Sequence, residues 1–339
     1  MIDWVSGRAP YHGPPLHGGR VTKIDSDGVV VFDVPVRMEA RSSHETGFMV
    51  RSLPDGQIEF SGCPAKWFQG HNIFGTDDLR GLVPELLVSV LRGLGVTLSP
   101  SDVAQWRNGD VVLTRVDVTN SFAAGSRSNA LAFIRAMESC ATLAYRGRGQ
   151  MVKGDTLYFG KLSRKSSLKI YAKGQELEAR GHGLPDSLCG FPLIGFANDL
   201  IRFEFVLRSR YLTENGLRHL GAWGDNTATE LHRCALEMLS MSNQLTLPFV
   251  EMAGLPTHLK QTYALWASGH DCRQTLTRPT FYRHRAELLE HSIDIALVRP
   301  VDQVQVVAQL RRVIEAVPVG VPDWAIGTPL YFQPEALAA

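Results

Sequence analysis

The chain has 339 residues, enough for two domains or three, with 44% hydrophobic and 20% charged residues. Thirty-five Lys and Arg against 34 Asp and Glu leave a net charge of +1, which excludes a polybasic tail protein, so attraction to an anionic partner has to come from local clustering. No apolar run approaches the roughly 18 residues of a membrane span. Five cysteines without a C-x-x-C spacing argue against a disulfide framework and a cysteine-built zinc site.

In chain order, the opening Met-Ile-Asp-Trp carries an early acid and no apolar h-region, so no signal peptide is expected. Residues 1–20, rich in Gly, Pro and His, read as irregular. Ser26-Asp27-Gly28 and Pro54-Asp55-Gly56 each mark a hairpin between β-rich runs. Asp77 or Asp78 reads as the N-cap of a helix over 80–93, with Leu82, Leu86 and Val90 on one face. A Val- and Thr-rich strand is expected over 111–120 and a helix over 126–145. Two strands, 156–160 and 167–173, flank the basic turn Lys161-Leu-Ser-Arg-Lys165, and a short helix over 175–180 follows. A strand over 200–208 alternates Ile201, Phe203, Phe205 and Leu207 with Arg202, Glu204, Val206 and Arg208. Irregular interleaving with hairpins points to an α+β fold: a mostly antiparallel sheet with packed helices, not a Rossmann alternation. Beyond residue 210 the texture becomes helical, over 227–241, 257–268 and 277–291, and two further segments, about 300–316 and the tail, complete the chain. The expected division is 1–210 for the α+β domain and 211–339 for a mainly helical one.

Three constellations stand out. Asp117 in Arg115-Val-Asp117 and Glu204 in Arg202-Phe-Glu204 are acids inside apolar strands, on the faces away from the large aliphatics. Two such carboxylates can meet on one sheet face and hold a hard divalent cation; equally, they can be solvent-facing and paired with Arg115 and Arg202. Lys169, Tyr171 and Lys173 share a strand face, which makes Tyr171 either a nucleophile between cations that favour its phenolate or a packed strand tyrosine. Tyr158 is the fallback nucleophile. Residues 146–180 carry nine Lys or Arg against three acids, a local +6 that suits a phosphate backbone. Finally, 257–291 reads as two helices, a glycine turn and a last helix N-capped by Thr277. That is either a helix-turn-helix reader or a plain helical hairpin. In the reader, Arg278, Thr280, Phe281 and Arg285 would project near the recognition end, with Arg283 and His284 toward the flanking backbone or the domain itself. No nucleotide-binding fingerprint, histidine ligand spacing or G-x-S-x-G elbow is present.

Cys63-Pro-Ala-Lys66, Gln69-Gly-His-Asn-Ile-Phe-Gly-Thr76, Leu113-Thr-Arg-Val-Asp-Val-Thr119, Leu200-Ile-Arg-Phe-Glu204 with Arg208-Ser-Arg-Tyr-Leu212, and Pro322-Asp323-Trp324 occur in this order. Together they resemble the filamentous-phage replication initiators, the gene II/X protein family, over most of the chain. Ile170-Tyr-Ala-Lys-Gly-Gln-Glu176 is more loosely similar to plasmid rolling-circle initiators. The resemblance implies a site-specific single-strand endonuclease and strand transferase acting in the bacterial host cytoplasm. Its partners would be double- and single-stranded origin DNA and the host helicase and polymerase, with neither membrane nor nucleotide cofactor. It implies Tyr171 as the nucleophile, taking a 5′-phosphate and freeing a 3′-OH, and Mg²⁺ or Mn²⁺ on Asp117 and Glu204, with His71 as a further ligand. The H-U-H histidine pair of many rolling-circle nucleases is absent, since no two histidines lie two apart. Lys169, Lys173 and Arg164 are expected to neutralise developing charge. Arg115, Lys161, Lys165, Arg202, Arg278, Thr280, Arg283 and Arg285 are expected to contact DNA. Two other classes stay open: a non-catalytic sequence-specific DNA-binding regulator, and a tyrosine recombinase or topoisomerase, for which the R…H-x-x-R order near the C-terminus is missing.

Overall fold

The structure, a computed structural model, describes residues 1–241, 255–267, 270–291, 293–296 and 318–334. Its strands are β1 (Ile2–Pro10), β2 (Arg20–Ile24), β3 (Val30–Pro35), β4 (Met38–Arg41), β5 (Gly47–Leu53), β6 (Gln57–Gly62), β7 (Val112–Ala123), β8 (Ala141–Leu143), β9 (Gly147–Arg148), β10 (Gln150–Val152), β11 (Thr156–Phe159), β12 (Ser166–Ala172), β13 (Leu200–Arg208) and β14 (Leu239–Met241). Nine of them form one sheet in the order β10-β11-β12-β13-β7-β1-β6-β5-β4, every pair antiparallel. The helices are α1 (Pro64–Gln69), α2 (Leu79–Gly93), α3 (Pro100–Asn108), α4 (Arg127–Cys140), α5 (Lys173–Leu177), α6 (Leu193–Asn198), α7 (Ser209–Glu214), α8 (Thr227–Glu237), α9 (Thr257–Ala267), α10 (Cys272–Thr275) and α11 (Arg278–Glu290). This is the expected α+β architecture with a helical C-terminal region.

Period-two alternation makes the sheet two-faced. Val116, Val118 and Phe122 of β7, Leu168 and Ile170 of β12, and Ile201, Phe203, Phe205 and Leu207 of β13 join α2, α4 and α8 in the main core. Asp117, Thr119 and Ser121 of β7, Lys169 and Tyr171 of β12, and Arg202 and Glu204 of β13 point the other way. A bulge sharpens the division: Ser6 pairs with Arg115 and Gly7 with Leu113, so Thr114 is left over and Leu113 turns into the core. Simple alternation would have put Leu113 beside Asp117. α2 begins where its cap signal predicts, with the Asp78 side chain accepting from Gly81 N–H.

The expectation of an irregular 1–20 is overturned, because β1 lies in the middle of the sheet between β6 and β7. Its Gly7 looks like a loop residue in sequence. In the fold, a Cβ there would sit 2.7 Å from the Phe60 ring and from Val112 O, so only glycine allows the strands to approach.

The core does not divide at residue 210. Leu212, Leu220, Trp223, Ala228, Leu231, Ala235 and Leu239 belong to the same core as the sheet. Ala325 and Leu330 join Ile73, Phe74, Leu193 and Leu200 in a smaller cluster. Within the described residues, 255–296 supply a separate core, with Leu259, Tyr263, Trp266, Phe281 and Leu288 closing α9–α11. The further segment expected at about 300–316 lies outside the described residues. The β2–β3 hairpin exposes Val21, Ile24, Val30, Phe32 and Val34. No helix among the described residues is long and apolar enough to cross a membrane.

Phe203 is fully buried on the core face, with its ring edge-on to Phe122 at 5.2 Å. Phe203→Ala should lower unfolding free energy by about 3–5 kcal/mol, read as a drop in the urea midpoint at unchanged slope.

Candidate active site

Opposite the helix-covered core, register brings the polar residues of four strands together. Lys169 of β12 lies across from Glu204 of β13, and Glu204 across from Thr119 of β7. One row along, Tyr171 faces Arg202, which faces Ser121. One row the other way, Val206 faces Asp117, which faces Trp4 of β1. Asp117, Glu204 and Tyr171 therefore share one sheet face.

The Tyr171 hydroxyl donates to Glu204 Oε2 at 3.1 Å. Lys169 Nζ donates to the same oxygen at 3.2 Å and lies 4.1 Å from the centre of the Tyr171 ring. Arg115 donates through Nε and Nη2 to the two Asp117 oxygens at 2.8 and 2.5 Å, and its guanidinium sits over the Trp4 ring. Burial sets the electrostatics here. Tyr171 is 3% exposed, and burial, reinforced by the Glu204 charge, pushes its phenol well above the ordinary range. The flanking cations thus do not make it a resting phenolate, as its sequence neighbours suggest. Burial also raises Asp117 above the usual carboxylate range; Arg115 opposes this and the Glu204 charge adds to it. Burial pulls Lys169 down, but Glu204 and Tyr158 more than offset it, so Lys169 is held charged.

Several expected site residues prove to be framework. His71 is buried, and both ring nitrogens are occupied: Nδ1 accepts from Ile73 N–H at 3.2 Å, so Nε2 carries the proton and donates to Leu330 O at 3.0 Å. A metal ligand needs a free lone pair, so the expected His71 ligand is contradicted. Arg202 was expected on DNA, but it is 0% exposed; its guanidinium donates to Ile73 O and to Ser121 Oγ. Lys173 was expected at the phosphate, but it is equally buried, donating to Asn72 Oδ1 at 2.8 Å and Glu176 Oε2 at 2.6 Å. Arg164 is exposed in the β11–β12 turn, at the far end of β12 from Tyr171. At 3.3 Å per residue the separation is roughly 20 Å, too far to act on the same phosphate. Lys161 lies over the Tyr158 ring, and Lys165 pairs with Glu214 at 2.5 Å. Tyr158 pairs with Lys169 across the ladder, one strand further out.

In the helical unit, Arg278 and Arg283 are exposed and Thr280 accepts from the Thr277 hydroxyl at 2.9 Å. Arg285 is bound to Asp294 through two 2.7 Å hydrogen bonds, and Phe281 is in the core, so neither is free to read a base edge as expected. Sequence reading passed over Asp3, Trp4 and Asn72. Asp3 occupies a β1 bulge between the Ile2–Val118 and Trp4–Asp117 pairs, and Asn72 bridges it to Lys173 by donating to Asp3 Oδ1 at 2.7 Å. The Gly70-His-Asn72 motif carried the signal for Asn72. Nothing local marked Asp3 or Trp4 once 1–20 read as irregular.

His71 has its pKa lowered from 6.5 to about 3 by burial. A base held neutral in the fold stabilises fully above its unfolded pKa, and this contribution is lost as pH falls from 6.5 toward 3. His71→Gln keeps a donor for Leu330 O and removes the titration. Unfolding free energies from urea titrations between pH 7 and 4.5 should fall less steeply in that variant, by up to about 1.4 kcal/mol per pH unit.

Residues 1–226 match the family described as the N-terminal part of the phage replication-associated protein encoded by gene II, and residues 253–329 the family described as the C-terminal part of the same protein. The replication-associated protein of Enterobacteria phage I2-2 is 33% identical over 332 residues, covering 95% of this chain and 96% of that one. The protein of the same name from Escherichia phage If1 is 23% identical over 81% of this chain and 96% of its own. That of Enterobacteria phage M13 is 27% identical over 47% of this chain and 42% of its own. The chain therefore belongs to the gene II replication-associated protein family of filamentous phages.

Proposed function

We propose that this protein initiates rolling-circle replication by nicking one strand of the double-strand origin through Tyr171 and later rejoining the displaced strand. The observation that carries this reading is the Tyr171 hydroxyl hydrogen-bonded to Glu204 beside Lys169, in a chain of this family. Glu204 Oε2 takes the phenolic proton as the tyrosine oxygen bonds to phosphorus. The P–O3′ bond breaks, and the 3′-oxygen leaves as a hydroxyl, taking its proton from solvent water. Lys169 and Arg115, whose side chains are 22% and 40% exposed, face the nonbridging oxygens and neutralise their growing charge. A phosphotyrosine keeps the bond energy, so rejoining needs no nucleotide. Trp4 and Tyr158, each beside a cation on this side of the sheet, suit a single strand held by stacking and phosphate contacts.

A divalent cation fits the donor set. Mg²⁺ keeps several waters and uses one or two carboxylates plus a substrate phosphate, and a buried Asp117 raised by burial and by the Glu204 charge gains from added positive charge. Asp117 and Glu204 would hold it. When bound, Mg²⁺ or Mn²⁺ supplies polarisation of the scissile phosphate.

Origin recognition belongs, in this reading, to the α9–α11 unit as a helix-turn-helix reader, through the exposed Arg278 and Arg283 at the start of α11. Arg285 acts there by bracing α11 against Asp294.

Tyr171→Phe removes one oxygen and leaves packing intact. Incubated with Mg²⁺ and the supercoiled replicon, it should bind the origin as tightly as the parent and form no protein-linked nick, a rate loss of several orders of magnitude. Nicking by Tyr171→Phe with none by Tyr158→Phe would move the nucleophile to Tyr158. Origin binding with no adduct in the parent protein would favour the non-catalytic regulator.

Arg278→Ala should lose roughly 1–3 kcal/mol of discrimination at one or two origin base pairs. Lys161→Ala should weaken binding to every sequence and flatten the salt dependence. Competition binding against mutated origins separates the two.

A further inference from the structure

An attacking oxygen has to come within about 3–3.5 Å of phosphorus, yet Tyr171 is 3% exposed. Something over the sheet face has to move before DNA can enter. Residues 69–76, from the end of α1 toward α2, are bonded to groups next to Tyr171. Ile73 O accepts from Arg202, the ladder partner of Tyr171. Asn72 accepts from Lys173, two residues beyond Tyr171, and donates to Asp3.

The outer side of this loop is held by the distant segment 318–334. Leu330 O accepts from His71 at 3.0 Å, and Phe332 N–H donates to Gln69 Oε1 at 3.0 Å. The Phe332 ring stacks on Phe68 at 3.8 Å, and Trp324 lies edge-on to Phe74 at 5.8 Å. Its Val319 N–H donates to Ser121 O at 2.8 Å, on the strand that lines the site. Apart from one 3-10 turn, Asp323–Ala325, the segment has no regular structure and adds no strand to the sheet. Its grip comes from a few hydrogen bonds, ring contacts and the burial of Ala325 and Leu330 in a small cluster apart from the main core, an attachment that can open locally while the sheet stays folded.

We propose that residues 318–334 are a latch: they hold the 69–76 loop down over Tyr171, and its release admits the DNA strand. The inference rests on the Tyr171 reading above and adds the step that controls access to it. The segment follows the α9–α11 unit in the chain, so origin binding by that unit has a covalent route to the latch.

The test uses the full chain with Trp324→Ala and Phe332→Ala together, against the parent. Amide hydrogen exchange at Ile73, whose N–H is held by His71 Nδ1, should speed up at least tenfold. Exchange in β7 and β13 should stay unchanged. Formation of the covalent adduct at subsaturating single-stranded origin oligonucleotide should rise severalfold, as a lower apparent KM at similar kcat, because a larger fraction of the protein is open. Unchanged exchange at Ile73, or faster exchange with slower adduct formation, would overturn the latch; the second result would make the segment a support for the site. If the double variant does not fold, Phe332→Leu, which keeps apolar bulk but loses the stacked ring, is judged by the same two readouts. A parent protein that forms no adduct would sink the nicking reading, and Ile73 exchange would still decide whether the segment holds the loop.

Discussion

Everything at the candidate site depends on the register of β13 between β12 and β7. With a period of two, a one-residue slip would carry Arg202 and Glu204 into the helix-covered core and push Phe203 and Phe205 onto the polar face. The large apolar residues on the core face therefore specify where the charges go. The site is the reverse side of a packing problem solved by Ile201, Phe203, Phe205 and Leu207.

The polar face then solves a second problem, since buried charges need partners. Three linked sets meet it: Arg115 with Asp117, Lys169 with Glu204 and Tyr171, and Lys173 with Glu176 and Asn72. In the proposed reaction the middle set is the reactive one, because its hydroxyl is the group whose bonding changes. The third set is scaffolding. Glu176 is held down at about 2: burial raises it, and the Lys173 charge and hydrogen bond outweigh that. Lys173 is lowered by burial to about 8 and remains mostly ionised at neutral pH. A lysine with two fixed acceptors and no exposure orders the loop, where a mobile one would meet a phosphate.

The chain closes on itself in an order unlike its linear sequence. β1 enters the centre of the sheet, α7 and α8 complete its core, and α9–α11 form a core of their own. Residues 318–334 then return to the loop that begins at Gln69. The Gln69–Phe74 and Pro322–Trp324 motifs, far apart in sequence, are thereby neighbours, with Phe74 edge-on to Trp324.

Periodicity and turn chemistry were enough for the α+β class, both hairpins, the start of α2 and the face shared by Glu204 and Arg202. These are local properties: alternation, a capping aspartate and a glycine turn each act within a few residues. Strand period also put Asp117, Glu204 and Tyr171 each on the polar face of its own strand, and the register of β12, β13 and β7 made those faces one. Accessibility did not. Arg202, Lys173 and Arg285 look the same in sequence as cations that touch a phosphate, and only the elements packed over them show that they are already paired. His71 reads as a free ligand until the backbone carbonyl of Leu330, 259 residues away, accepts its Nε2–H. Burial and partnership are sums over the whole chain. The amino-acid sequence by itself therefore determined which strands carry these polar side chains and on which face of each, and the tertiary structure alone decided which of them meet and which solvent can reach.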